Sequence, residues 1–414
     1  MVGRISTAEI YRTSISSVAD AQQLLNRTQE QLGTGRAILQ PSDDPVASAQ
    51  IQGLRTDLER LEVLQINTNR ADSTLAFEDQ ALAGTEIVLN RARELALQAN
   101  SAVLRPEDRA TIATEIDGLL QQLLSLGNTQ SADGEFIFAG FESKETPFVL
   151  NTGTPDTVTY EGDSGVRELN IAPGITLPIN TPGNAIFFAA PGNGDYEVKA
   201  NVANTGTGVV GRTTANATFD DTQDYQLNFI QLAPDDPITW EVVDAGGAGA
   251  VIASGTYAEG DPIAFGGAEV FVNGTPANGD SFDVLSTNTG APPSRTQSAF
   301  EVLIELRDAL LRSAESGATL AQSDTVINQS IQSLDQNLAQ ISLIRTDVGV
   351  RLNRVEDQAN LNEAFNIQLE RTLGELEGLD YAEAISELEL QLVALQAAQQ
   401  TFVKTTGLTL FNFL

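Results

Sequence analysis

Residues 327–355 place the tightest constraint on what this chain can fold into. Ile327, Ile331, Leu334, Leu338, Ile341, Val348, Leu352 and Val355 recur at alternating steps of four and three, with Arg345 as the one polar interruption. An apolar repeat of 3.5 residues kept up over this length demands a long helix whose a/d seam is buried against another helix. A second seam follows at Ile385, Leu388, Leu392, Leu395 and Phe402, and Gly374 and Gly378 between the two predict a break in the helix.

A partner for these seams lies at the other end of the chain. Ile15, Val18, Leu25 and Leu32 stand at a/d spacing, with Gln22 and Gln29 in the two vacant positions. The pattern stops at Gly33-Thr34-Gly35, with Pro41 and Pro45 beyond it, which reads as a helix end followed by a turn. A new seam opens with Ile51, Leu54, Leu58 and Leu61. Further helical stretches are expected over 70–100 and over 107–127, the latter just after Pro106 with Glu107 and Asp108 in its first turn. Neither amphipathic half can bury its seam alone, so the two ends of the chain are expected to pack together.

The middle differs in both composition and period. Tyr225, Leu227 and Phe229 alternate with polar residues, as do Ile238, Trp240 and Val242, and Val270 and Val272. Alternation of period two, punctuated by Asn193-Gly194, Pro234-Asp235-Asp236-Pro237, Asn273-Gly274 and Asn278-Gly279-Asp280, indicates antiparallel strands joined by tight turns. The fold class expected is therefore α+β and elongated. Long helices from both termini pack as an antiparallel coiled-coil bundle around an inserted all-β domain. Composition suggests three divisions: 1–40 with 380–414, 41–140 with 295–379, and 141–294.

Charge and missing residue types narrow the function. The chain carries 23 basic and 56 acidic side chains, net −33, and the 141–294 zone, with 4 basic and 20 acidic residues, supplies −16 of it. Such a surface repels phosphate backbones and anionic lipid, so neither nucleic acid nor a membrane is an expected partner. With no Cys and no His there are no disulfides, no thiolate or Ser-His-Asp nucleophiles and almost no zinc chemistry, and no catalytic, cofactor or metal residues are expected. Asp43-Asp44, in a Pro-flanked turn, reads as helix capping rather than a catalytic pair. The acidic turns at Asp220-Asp221, Asp235-Asp236 and Asn278-Gly279-Asp280 lack EF-hand spacing and read as solvated turns. No apolar run of signal-peptide or membrane-span length is present near the N-terminus or elsewhere.

Several motifs, taken in order, carry a resemblance. They are Gly33-Thr34-Gly35-Arg36 with Pro41-Ser42-Asp43-Asp44-Pro45-Val46-Ala47; the stretch from Asn69 to Gln98 with Ala92-Arg93-Glu94-Leu95-Ala96; Gly134-Glu135-Phe136-Ile137-Phe138-Ala139-Gly140 with Pro147-Phe148; Gly274-Thr275-Pro276-Ala277-Asn278-Gly279-Asp280-Ser281-Phe282; and the terminal Leu408-Thr409-Leu410-Phe411-Asn412-Phe413-Leu414. Together, over roughly 1–150 and 270–414, the chain resembles the bacterial flagellar axial proteins, flagellin-like, and among them the hook-associated protein 3 (hook–filament junction) family. The Pro-Ser and Pro-Val flanks of the Asp-Asp turn are similar to junction proteins rather than to flagellins.

The resemblance implies a structural subunit, not an enzyme, exported through the flagellar type III apparatus without a cleaved signal and located extracellularly in the flagellum. It implies self-association in a ring or helical layer, with hook-associated protein 1 on one side, flagellin on the other, and an export chaperone beforehand. Segments 1–40 and 380–414 are short amphipathic ends expected to order on association. The residues expected at the subunit interface are Ile15, Val18, Leu25, Leu32, Ile385, Leu388, Leu392, Leu395, Phe402, Phe411 and Leu414. Two other readings stay open: flagellin itself, and a surface module that binds glycans or Ca²⁺ through its β domain.

Overall fold

The computed structural model describes residues 7–101, 104–153, 155–189, 196–216, 218–220, 223–246, 249–286, 298–312 and 317–411. Asp221, Asn193-Gly194 and Leu414 lie outside them. The chain divides into two compact units, one of Met1–Ile66 with Gln358–Leu414 and the other of Asn67–Asp357. The expected α+β fold is present, with helices from both ends of the chain and strands between them.

In chain order the first helices are α1 (Thr7–Thr34), α2 (Pro45–Ala99) and α3 (Pro106–Gly127). The seam at Ile51–Leu61 and the stretch 70–100 are thus one helix, with no Gly-Pro punctuation between them to stop it. At the other end lie α5 (Ala299–Arg312), α6 (Gly317–Glu377) and α7 (Tyr381–Phe411), while α4 (Gly183–Phe187) is a single short turn. Gly374 stays inside α6, and the break comes at Gly378, whose N–H donates to the Gly374 carbonyl at 2.8 Å.

Within the 67–357 unit, α2 and α6 run antiparallel. Asn100 Nδ2 donates to Asn328 Oδ1 at 2.9 Å, Ser342 Oγ to Glu86 Oε1 at 2.7 Å and Arg345 Nε to Asp79 Oδ1 at 3.0 Å, so numbers fall on one helix as they rise on the other. The predicted seam is the contact line: Ile327, Leu334, Ile341, Val348 and Val355 are sealed from solvent, and Ile331, Leu338 and Leu352 are half-buried beside them. On α2, Ala71, Leu75, Leu82, Leu89, Ala92, Ala96 and Ala99 form the facing row. Burying one such Leu or Ile side chain contributes about 1.5–3 kcal/mol. α3 and α5 complete the bundle with Ile112, Ile116, Leu120, Phe300, Leu303 and Leu306.

The first strands are built onto this helical core. β1 (Phe148–Asn151) pairs with β2 (Thr157–Tyr160), and β3 (Glu168–Ala172) with β4 (Ile175–Pro178), both antiparallel. Phe148 is the keystone, with its ring centroid 5.1 Å from Phe187 and 5.1 Å from Phe300. Gly127 ends α3 beneath it, and a Cβ there would stand 2.8 Å from Phe148 Cδ2. Ile137, Phe138 and Ala139 of the Gly-Glu-Phe-Ile-Phe-Ala-Gly motif are fully buried, the first two in the same core.

The remaining strands have a core of their own. They are β5 (Tyr196–Ala200), β6 (Val209–Ala215), β7 (Tyr225–Ile230), β8 (Thr239–Asp244), β9 (Val251–Thr256), β10 (Pro262–Phe265), β11 (Ala268–Asn273) and β12 (Ser281–Ser286). They form an antiparallel five-stranded sheet of order β5-β12-β7-β8-β9 and a three-stranded sheet of order β10-β11-β6. Tyr225, Leu227 and Phe229 of β7 face inward as the alternation predicts, against Val270, Val272 and Phe282. Asp280 is not a solvated turn residue. It is buried and accepts backbone N–H groups of Thr205 at 2.8 Å, Gly206 at 3.0 Å and Ala277 at 2.8 Å, which ties the hairpin turn to the preceding loop. The domain is anchored on α6 by Val210, whose N–H donates to Thr325 Oγ1 at 3.1 Å and whose carbonyl accepts Asn328 Nδ2 at 3.2 Å.

Candidate assembly surface

α1 and α7 belong to the 1–66/358–414 unit and pair antiparallel. Near one end of the pair the rings of Tyr11 and Phe402 stand 5.5 Å apart; at the other, Leu379 N–H donates to the Gly35 carbonyl at 3.2 Å. Gly35 takes φ 71°, the left-handed conformation that ends α1 without a Cβ clash. From there Ala37 N–H donates to the Glu377 carbonyl at 2.8 Å, so the two interhelical connections are zipped side by side. Arg27–Asp43 at 2.9 Å, Arg36–Glu377 at 3.5 Å and Arg55–Glu377 at 2.5 Å reinforce the corner.

Of the two aspartates in the Pro-Ser-Asp-Asp-Pro turn, Asp44 caps α2, whereas Asp43 closes the loop before it. Asp44 Oδ1 accepts the N–H groups of Val46 and Ala47 at 2.9 Å each, satisfying orphan donors at the start of α2. Asp43 Oδ2 accepts Leu39 and Gln40 N–H at 3.1 Å each. The hydrogen bond from the Gln40 N–H, helped by that of Leu39 and by the Arg27 charge against some desolvation, holds the Asp43 carboxyl below its ordinary range. Asp380 repeats the device at the start of α7, accepting Ala382 N–H at 2.9 Å and Glu383 N–H at 3.2 Å.

The register of the pair differs in detail from the one expected. On α1 the positions turned inward are Ser14, Val18, Ala21, Leu25, Thr28 and Leu32; on α7 they are Ala384, Leu388, Gln391, Leu395, Ala398 and Phe402. Each line steps by four and three, and each alternates a small or polar residue with a large one. Ser14, Ala21 and Thr28 hold the places that the spacing assigns to Ile15, Gln22 and Gln29, because the large residues repeat every seven and a small partner lets the backbones approach. An apolar-only count passes over small residues, so the signal lay in the sevenfold spacing of Val18, Leu25 and Leu32.

Val18, Leu25, Leu32, Leu388, Leu395 and Phe402 thus lie in the intrachain seam. Ile15, Ile385 and Leu392 remain exposed, at 45%, 49% and 40%. Phe411 ends α7 with its side chain undescribed, and Leu414 lies beyond. Tyr11, Leu24, Tyr381, Leu390, Val393 and Val403 are also exposed and were not anticipated. On α7 these residues lie on several sides of the helix, and from Leu390 to Val403 the sequence contains no charged residue. Its uncharged outer surface mixes Leu390, Leu392, Val393 and Val403 with Gln396, Gln399 and Gln400, and exposed apolar residues grouped in this way mark an interaction site.

Among the described residues no cluster of three or more acidic side chains is arranged to hold a metal ion, and no helix is long and apolar enough to cross a membrane. The chemistry offered by this surface is apolar packing.

The comparisons with known proteins agree with this architecture. Residues 5–143 match the bacterial flagellin N-terminal helical region and residues 331–414 the C-terminal helical region. Flagellar hook-associated protein 3 of Escherichia coli (strain K12) is 22% identical over 413 residues, 99% of either chain. The crystal structure of the flagellar junction protein FlgL from Legionella pneumophila is 30% identical, superposes with a TM-score of 0.67, and covers 80% of this chain and 100% of its own. FlgL of Xanthomonas campestris, 27% identical, gives a TM-score of 0.69 over 78% of this chain and 99% of its own. Flagellin-like at its two helical ends and similar to junction proteins through its whole length, the chain belongs to the flagellar hook-associated protein 3 family.

Proposed function

We propose that this chain is a structural subunit of the bacterial flagellum, joining the hook to the filament. The observation that carries the reading is the extent of the similarity. The flagellin helical regions account for 5–143 and 331–414 only, whereas the likeness to a hook-associated protein 3 continues through the β region between them. A filament subunit would share the ends and not the middle.

In this reading, segments 1–40 and 380–414 form the terminal helical domain, 41–140 with 295–379 a helical bundle domain, and 141–294 the all-β outer domain. Val18, Leu25, Leu32, Leu388, Leu395 and Phe402 hold the terminal pair together. Ile15, Ile385 and Leu392, continued by Phe411 and Leu414, pack against neighbouring copies in a ring or helical layer. Hook-associated protein 1 meets one side of that layer and flagellin the other. Before assembly the apolar α7 is kept from aggregating by an export chaperone, and the subunit leaves through the flagellar export apparatus with no signal cleaved. Its work is packing, not catalysis.

Immunogold electron microscopy of native flagella, with antibody raised against 141–294, tests the reading. A single narrow band of gold where hook meets filament is the expected result. Gold along the whole filament would make the chain a filament subunit, and absence of label from flagella would return attention to the β domain as a binding module.

A further inference from the structure

The α2–α6 seam contains one residue that a coiled-coil core does not accommodate easily. Glu78 occupies a core position between Leu75 and Leu82 and is fully buried, and neither of its carboxyl oxygens has a hydrogen-bond partner of good geometry. The hydroxyl and backbone N–H of Thr181 face it without closing a full hydrogen bond. The charged groups that act on it are Arg351 and Asp347, both on α6. Arg351 is committed elsewhere. One of its terminal nitrogens pairs with Asp347, and the other reaches the Asn180 carbonyl and Thr181 Oγ1 at 3.4 Å each. The segment that presents Thr181 is itself packed in, with Ile179 and Asn180 buried and Asn180 Oδ1 accepting Arg167 N–H at 2.6 Å.

We propose that Glu78, Thr181, Arg351 and Asp347 form a proton-operated latch between α2, α6 and the 179–182 segment. With Glu78 protonated, the neutral acid fits the seam, Arg351 stays on Asp347, and the segment lies closed. When the carboxyl O–H ionises and its proton leaves to solvent, the buried charge draws Arg351 away from Asp347, and the segment loses its hydrogen bonds to that guanidinium.

The physical basis is the cost of an uncompensated charge in an apolar seam, which the group avoids by keeping its proton. Burial pushes the Glu78 carboxyl up from 4.5 to about 7; Thr181 and Arg351 oppose the shift and Asp347 adds to it. The sign follows. Below the unfolded value both states are protonated and the stabilisation is complete. As pH rises the unfolded chain ionises first, and the stabilisation is lost by the time pH passes about 7. The chain contains no His and no Cys, so apart from its α-amino group no residue type that ordinarily titrates between pH 6 and 8 competes with this signal.

The test uses the full chain, reading the thermal midpoint between pH 5 and 8 and the hydrogen exchange of 179–182 between pH 6 and 8.5, the latter corrected for intrinsic rate. The expected result is a midpoint that falls by a few degrees up to about pH 7 and then levels off, and exchange that quickens several-fold across about pH 7, with both trends flattened in Glu78→Gln. Asp347→Asn should move the pH of the change downward by freeing Arg351 for Glu78, and Arg351→Gln should move it upward. A Glu78→Gln profile that matches the native one would overturn the latch. So would Asp347→Asn and Arg351→Gln shifting the change in the same direction or leaving it in place. These two variants leave the buried acid intact, so the test stands even if Glu78→Gln folds poorly.

Discussion

Arg345 shows how a single residue can look misplaced in a pattern and still belong to the fold. It interrupts the 327–355 seam, yet its guanidinium bridges Asp79 at 3.0 Å and Glu86 at 2.6 Å, two acids seven residues apart on α2. The position sits at the edge of the contact line, where the aliphatic stem lies over the seam and the charged head meets the facing helix. Replacing it by Ala leaves two half-buried carboxylates of α2 without their shared cation, and the expected cost is about 1–2 kcal/mol in urea unfolding. Arg345→Leu should recover part of that loss by continuing the apolar line. Equal destabilisation by Ala and Leu would mean that the ion pairs alone matter at this site.

Among the elements, α7 separates two kinds of apolar residue that share one sequence pattern. Leu395 lies in the intrachain seam with α1, while Leu392 lies outside it. Leu395→Asp buries a charge against α1 and should destabilise the terminal pair by several kcal/mol, read as lost helicity in circular dichroism. Leu392→Asp, at a position already exposed, should change the isolated subunit by no more than about 0.5 kcal/mol and yet abolish incorporation into flagella. Normal incorporation of Leu392→Asp would remove the exposed face of α7 from the assembly surface. The contrast is needed because either substitution alone could act through folding.

For the whole molecule, the division into two units makes a prediction about truncation. The 67–357 unit contains both hydrophobic cores, whereas α7 pairs with α1 in the other unit. Deleting 380–414 should therefore leave the main unfolding transition in place, remove the α1 helical signal along with that of α7, and yield a soluble subunit that no longer enters the flagellum. An isolated helix of α1's length is marginal in water, which is why it should go when its partner does. Filaments of normal appearance on cells carrying only the truncated chain would sink the terminal-pair argument.

Much of this protein was written in its periodicities. Steps of four and three named Ile327, Leu334, Ile341, Val348 and Val355 as a buried line, and period two named the inward face of β7, because one-dimensional spacing fixes which face of an element a side chain occupies. The cap at Asp44 was equally readable, since a Pro-flanked Asp ahead of an apolar repeat has few other uses, whereas Asp43 turned back to the Leu39 and Gln40 N–H groups instead. Spacing does not say which of two adjacent lines meets the partner, and that choice fell to tertiary packing. It placed Ser14, Ala21 and Thr28 in the α1 seam and left Ile15 outside, because close approach of two backbones favours small side chains that hydrophobicity alone ranks low. It also decided that Asp280 is buried while Asp43 and Asp44 sit at a corner, and that Glu78 faces Thr181 and Arg351 across more than a hundred residues of chain. The sequence by itself determined the elements and their faces. Only the folded chain decided which faces are spent within it and which are left for other subunits, because that depends on which surfaces come together in three dimensions.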